Sequence, residues 1–524
     1  MLHWKSVWIP AVIGLSCWVP LSCADDAGQK AVAETRQALG KERFKTDLAD
    51  FDLSTSPELR AREAILKEAV VEPAPTMTNA VLPGYSRYGG SLVSQPKVIP
   101  LIVSPLDLME TVESNSAAVV WKLASPGRLV NPGPGRVPWY SWDDCRKTLD
   151  AKGPRLDRAS ASILDGPIRF DLGRNPNASY LGPPALYQLR GLTLLLDSRM
   201  LLALRDGNLA AAWTNLLAAT RLMSAWETEP PQIFHLARFA TTELAFAATW
   251  QALQTNGWSD AQLAELQAEW ESVDFFTQLP ETAAYQRASE ADASEGERLM
   301  PKPDVPFGEF MAWAFRFPVM VWQMLNEERR REQYLQHGSF VDEAAMLLHY
   351  RDAEVELRRA VQAPTWSDML RLPGLARPHP FNSRAMDNQD LLGHAAVAEA
   401  QRRIVIAALA LERYHARYGT YPQALSALAP DFLRKLPVDF MDGQPLRYRL
   451  TGDGHFILYS VGLGCTDNGA RWPPRERTGL FGDRLDRLIT SAIVWPLPAS
   501  LAAVEAVRLD ESRMHQQRLH PGRP

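Results

Sequence analysis

The chain has 524 residues, 46% of them hydrophobic, with a formal net charge of −5. That length suggests about two to four domains, and the acidic balance argues against a nucleic-acid partner, which calls for a basic face. Four cysteines in the whole chain exclude a disulfide scaffold.

The N-terminus has the pattern of an export signal. Lys5 precedes a mostly apolar run from Val7 to Leu21, and Ser22-Cys-Ala24 gives a small-x-small cleavage site before Asp25. The run is too short and too proline-interrupted for a spanning helix. Cleavage after Ala24 is expected, which places the mature protein in the periplasm or cell envelope. Two alternatives would keep it at a membrane. One is an uncleaved anchor. The other is lipidation of Cys23, because Leu21-Ser22-Cys23 loosely resembles a lipobox. Cleavage leaves Cys145 and Cys465 as two free thiols or as one long-range bridge.

From residue 25 to 190 an N-terminal helix gives way to a Pro/Gly-rich irregular region. Ala31 to Ala69 reads as charged helix, broken around Asp52 to Pro57. From Val71 to about Pro184, turn signals such as Asn131-Pro-Gly-Pro-Gly135 separate short apolar runs, and the segment reads as an irregular region draped over helices, not an independent sandwich. Residues 191–362 read as a helical domain. Helices are predicted over Leu192–Leu204, Leu209–Trp226, Pro230–Leu253, Ser259–Trp270 and Thr282–Leu299. Arg205 to Trp213 looks like a helix-turn-helix pair from an α-solenoid. No second copy follows at a solenoid period, so an irregular bundle is expected. Phe307 to Leu325 is apolar and reads as a buried or docking helix, and Asn326 to Gln362 as one long solvated helix or two. Residues 363–388, rich in proline, read as a linker, and residues 501–524 as a polar tail.

The last unit, residues 389–500, is the most self-consistent. Val397, Ala400, Ile404, Ala407, Leu411, Tyr414 and Tyr418 recur at spacings of three and four, which places them on one helical stripe. Gly419 sits where a left-handed cap is wanted. Leu446 to Leu450 alternates as a half-buried strand, Thr451-Gly-Asp-Gly454 is turn chemistry, and His455 to Val461 is a second strand. Phe481 to Leu497 could add a further one. The fold class is therefore mainly α: an irregular, solenoid-like helical region, then a small α+β domain with a long helix packed on a short antiparallel sheet. This unit is expected to fold on its own.

Leu411-Glu-Arg-Tyr-His-Ala-Arg-Tyr-Gly-Thr-Tyr-Pro422, Leu436-Pro-Val-Asp439, Arg447-Tyr-Arg449 and Tyr459-Ser-Val-Gly462 together resemble the soluble head of type II secretion pseudopilins. In that family the helix continues from an apolar N-terminal segment, whereas here hundreds of residues precede the unit. The resemblance implies a secretion-related role and a calcium site in the loop after the last of these strands, where Asp467 and Asn468 match its acidic part. A second carboxylate would have to come from Asp483 or Asp486. As plain residues, Gly462 to Gly469 read as an oxygen-rich turn.

Reaction motifs are missing from the sequence. No glycine-rich dinucleotide or phosphate loop, no His-Glu-x-x-His and no Gly-x-Ser-x-Gly elbow occurs. His235 reads as a core histidine. His349 and Asp352 share a helical spacing without a third ligand, and so read as a solvated face. Glu227 and Glu229 read as helix-end charges. The expected function is that of a non-catalytic, extracytoplasmic helical scaffold acting through protein partners. The alternative is an extracytoplasmic enzyme of hydrolase type, with a site assembled from dispersed residues.

Overall fold

A computed structural model describes residues 22–52, 54–70, 142–168, 184–253, 255–299, 316, 318–381, 386–452, 454–469 and 492–495. Residues 1–21 of the expected export signal, most of the Pro/Gly-rich region, the start of the Phe307 stretch, Asp483, Asp486 and the polar tail lie outside the described residues. Among those described, no helix is long and apolar enough to cross a membrane.

Two helices open the described chain, α1 (Ser22–Lys41) and α2 (Pro57–Val70). The packed part of α1 lies beyond the expected cleavage point. Val32 and Leu39 are buried against Ala291 and Leu347 of later helices. The irregular region contains a helix that the sequence reading did not place, α3 (Trp142–Asp165), with Pro154 inside it. Lys152-Gly-Pro154 reads as a break. However, Leu149, Leu156, Ala159 and Ile163 are all buried at spacings of seven, three and four, on one helical face. Packing of that face against α2 and the next two helices outweighs the lost backbone hydrogen bond.

The bundle continues with α4 (Pro184–Arg205), α5 (Leu209–Arg221), α6 (Gln232–Ala252), α7 (Asp260–Ser272) and α8 (Leu279–Leu299). Local chemistry accounts for several of the ends. Gly207 takes φ +70° between α4 and α5, and Asn208 Oδ1 accepts from the Ala211 amide at 3.1 Å. Ser259 and Gln262 form a reciprocal capping box at the start of α7. Helix α9 (Pro318–Gln333) runs through a π-helical turn at Tyr334–Gly338 into α10 (Ser339–Ala360). The expected solvated character does not hold along α10, where Glu343, Glu354 and Glu356 are buried and paired with arginines.

The segment expected to be a linker is pinned. Its short helix α11 (Trp366–Met369) buries Trp366, whose Nε1 donates to Leu463 O at 3.0 Å. The amides of Trp366 and Ser367 donate to Phe440 O and Met441 O. Then comes α12 (Asn388–Tyr418), N-capped by Asp387 and ended by Gly419 at φ +73°. Strands β1 (Arg447–Leu450), β2 (Phe456–Ser460) and β3 (Ile493–Trp495) form an antiparallel sheet in that order. Tyr448 faces Leu458, and Leu458 faces Trp495. The chain is thus mainly helical with a small antiparallel sheet near its C-terminus.

Helix α12 is the spine of both halves. Between Leu391 and Leu411 its residues are buried on nearly every side, by α6 and α7 as well as by the sheet. One hydrophobic core runs across the expected boundary at residues 363–388. Phe246 of α6 meets Trp495 of β3 edge-on at 5.4 Å, and Arg413 of α12 pairs with Asp260 of α7 at 2.8 Å.

Near the end of α12, Glu412 accepts from the Tyr421 hydroxyl at 2.9 Å. Burial pushes its pKa up to about 7. A carboxyl whose folded pKa lies above its unfolded one contributes stability that is full below about pH 4.5 and is lost as pH rises through about 7. Glu412→Gln keeps the acceptor and removes the titration. We expect it to flatten the stability profile between those pH values and to exceed the parent above pH 7 by an amount on the order of 2–3 kcal/mol. Urea midpoints across that range check this, and parallel profiles would refute it.

Candidate functional site

Asp467 and Asn468 follow the end of β2, in the turn that the resemblance marks for calcium. Asp467 Oδ1 accepts from the Tyr459 hydroxyl and the Gly469 amide, both at 2.9 Å, and its Oδ2 lies 3.5 Å from Arg447 Nε. The Gly469 amide first, then Tyr459 and Arg447, hold the Asp467 carboxyl below the usual range. Arg447 also pairs with Asp442 at 2.5 Å and with Asp439 at 3.2 Å. Three aspartates therefore meet on one guanidinium. No group of three or more His, Cys, Asp or Glu side chains among the described residues is arranged to hold a metal ion.

Asp439 is the residue that organises this corner. It is fully buried and accepts from the Ser460 hydroxyl at 2.7 Å, the Val461 amide at 2.9 Å and the Met441 amide at 3.0 Å. The sequence offered it only as the last residue of Leu436-Pro-Val-Asp439. Calcium in the millimolar range is expected to leave the thermal midpoint of the protein unchanged, because Arg447 already supplies the charge. Arg447→Met should lower the midpoint, and calcium should restore part of the loss by binding the freed carboxylates. A calcium-dependent midpoint in the parent, or a variant indifferent to calcium, would contradict this account.

A second feature is a cleft of about 390 Å³ lined by α8, α10, residues 386–388 and the run 375–381. His349 and Tyr350 of α10 meet His379 from that run. The ring centroids of His349 and His379 are 5.3 Å apart, those of Tyr350 and His379 5.7 Å apart, and Phe381 adds a fourth ring at 6.3 Å from His379. Burial, then His379 and Arg377, push His349 down to about 4, and burial lowers His379 as well. Both rings are therefore neutral near pH 7. His379 Nδ1 accepts from the Phe381 amide at 3.2 Å, which leaves the proton on Nε2.

Two backbone devices shape the cleft. Gly374 takes φ +92° and a Cβ there would collide with the Glu356 carboxylate, so the chain closes onto α10 and Arg377 reaches Glu356 at 2.6 Å. At the other end the π-turn brings Tyr334 to the wall, where its hydroxyl donates to Asp342 at 2.8 Å. A Cβ on Gly338 would stand 2.7 Å from the Tyr334 ring. π-Turns of this kind concentrate at functional sites.

Two of the other sequence candidates resolve into structure. His235 is fully buried, and burial, then Arg238, press its pKa down to about 3. Glu227 lies 3.9 Å from Arg238 and accepts from the Asp274 amide at 3.3 Å, a helix-end role. One reading changes, and one alternative is decided for Cys465. His349 does not share a ligand with Asp352, which pairs with Arg351 and Arg377, and it faces the cleft instead of a solvated surface. Cys465 is a free thiol that donates to Met441 O at 3.3 Å, the free-thiol alternative of the sequence. The cleft was hidden from sequence reading because its rings come from positions thirty residues apart with no shared motif. No family model, curated protein or solved structure matches the chain.

Proposed function

We propose that the chain is an exported, non-catalytic envelope scaffold with a pseudopilin-like C-terminal unit, and that it works by holding a protein partner in the cleft between α8 and α10. The observation that carries this reading is the cleft's construction. The rings of His349, Tyr350, His379 and Phe381 line one cavity together with amides and several carboxylates, and the Ser339 and Tyr334 hydroxyls there are engaged with groups other than the histidines. Ser339 Oγ donates to Leu335 O at 2.6 Å and Tyr334 to Asp342, so neither is a nucleophile activated by a base. The export signal supports the compartment.

A photo-crosslinking side chain placed at the exposed Phe381 should give a discrete protein adduct in intact cells. One placed at the exposed Glu265 of α7 should not, and His379→Ala should abolish the adduct. The mature protein should begin at Asp25. Equal labelling from both positions, or a mature chain beginning at Met1 in the cytoplasm, would overturn the proposal.

One observation favours a second reading, an extracytoplasmic hydrolase. Two histidines and several carboxylates meet in one cavity, as acid–base chemistry requires. That reading calls for turnover of a chromogenic ester, phosphate or glycoside that His349→Ala and His379→Ala both abolish.

A further inference from the structure

The charges around the cleft are largely spent. Glu343 is paired with Arg36 and Arg298, Asp342 accepts from Tyr334, and Arg377 is held by Glu356. Glu290 differs. It accepts from the neutral Gln286 amide at 2.9 Å, and among the described residues no cation pairs with it. Its negative charge reaches both Tyr350 and His379. A half-buried carboxylate is thus held beside a group of aromatic faces, in a cavity with room for a side chain.

We propose that this cleft receives the guanidinium of an arginine side chain from the partner polypeptide. This rests on the reading of the cleft as the partner site and names what enters it. The chemistry fits a guanidinium in two respects. Its planar fork matches a carboxylate that has oxygens to spare, and its face stacks on rings. The ring walls take it because His349 and His379 are uncharged. The groups facing those histidines are Glu290 from α8, Tyr350 and Asp352 from α10, and Arg377 from the segment opposite. Gln286, bonded to Glu290 and reaching Tyr350, fixes the carboxylate before the ligand arrives, which lowers the cost of ordering on binding.

The test uses the mature full-length protein and two short capped peptides, Gly-Arg-Gly and the same peptide with citrulline, which keeps the shape and removes the charge. Titration calorimetry at pH 7 should show the arginine peptide binding at least about tenfold more tightly than its citrulline twin. Glu290→Gln should erase that preference, and Phe381→Ala should weaken arginine binding several-fold. Circular dichroism and unfolding midpoints of both variants confirm that they are folded. Equal affinities, no binding of either peptide, or a preference that survives Glu290→Gln would each overturn the assignment. If the Phe381 crosslink forms while the peptides bind equally, the guanidinium fails and the contact site stands. If both fail, the contact-site reading falls with it.

Discussion

Replacing Glu354 with alanine is expected to destabilise the protein by about 3–5 kcal/mol, the range for breaking a buried ion pair from one side. The Glu354 side chain is 3% exposed and lies 2.8 Å from Arg287, which is not exposed at all. Arg287 joins three parts of the chain. It sits on α8, donates through Nε to Lys45 O at 2.7 Å, and lies over the Phe44 ring. Arg358 also bonds to Glu354. Removing the carboxylate strands a guanidinium whose pKa is already lowered by burial. The loss is expected to be mostly the penalty of that stranded charge, so Glu354→Met with Arg287→Met should recover most of it. Urea unfolding of Glu354→Ala and of the double variant checks this. A double variant no better than Glu354→Ala would show that the pair itself, and not the stranded arginine, supplies the stability.

The second large effect concerns the C-terminal unit by itself. A fragment from Met386 to Trp495 is expected to show no cooperative unfolding transition, contrary to what its sequence alone suggests. Helix α12 would lose α6 and α7, leaving Leu391 to Leu411 open along one side. It would also lose Trp366, and with it the tie to Leu463. Co-expression with residues 25–381 should restore a folded complex by covering that side. A fragment that melts cooperatively alone would show that the shared core is dispensable.

The sequence held more about α12 than a stripe. Seven positions at three-and-four spacing predicted one buried face, and all but Tyr414 and Tyr418 are buried. Yet Leu392, Ala396, Gln401, Val405 and Leu409, off that stripe, are buried too. The unbroken run Ile404 to Leu411 is apolar all round, the mark of a helix enclosed on every side, and it was there to be read.

Helix limits, the Gly419 cap and the hairpin were legible because local chemistry decides them. Helix α3 was not, because tertiary packing overrides Gly153 and Pro154. The candidate site was the least legible part. Asp467 and Asn468 were visible as a turn, but the convergence of Asp439, Asp442 and Asp467 on Arg447 depends on how β1 and β2 register. Glu290, Tyr350 and His379 become neighbours only when the segment after α11 folds back onto α10.

The enclosure of α12 also limits how this chain can change over generations. One residue added to a helix turns everything beyond it by about 100°. In α12 that turn would displace two interfaces at once, one with the helices and one with the sheet. Drift in length is therefore confined to the connections, and neither half can be exchanged as a ready-made cassette without recutting the other to fit.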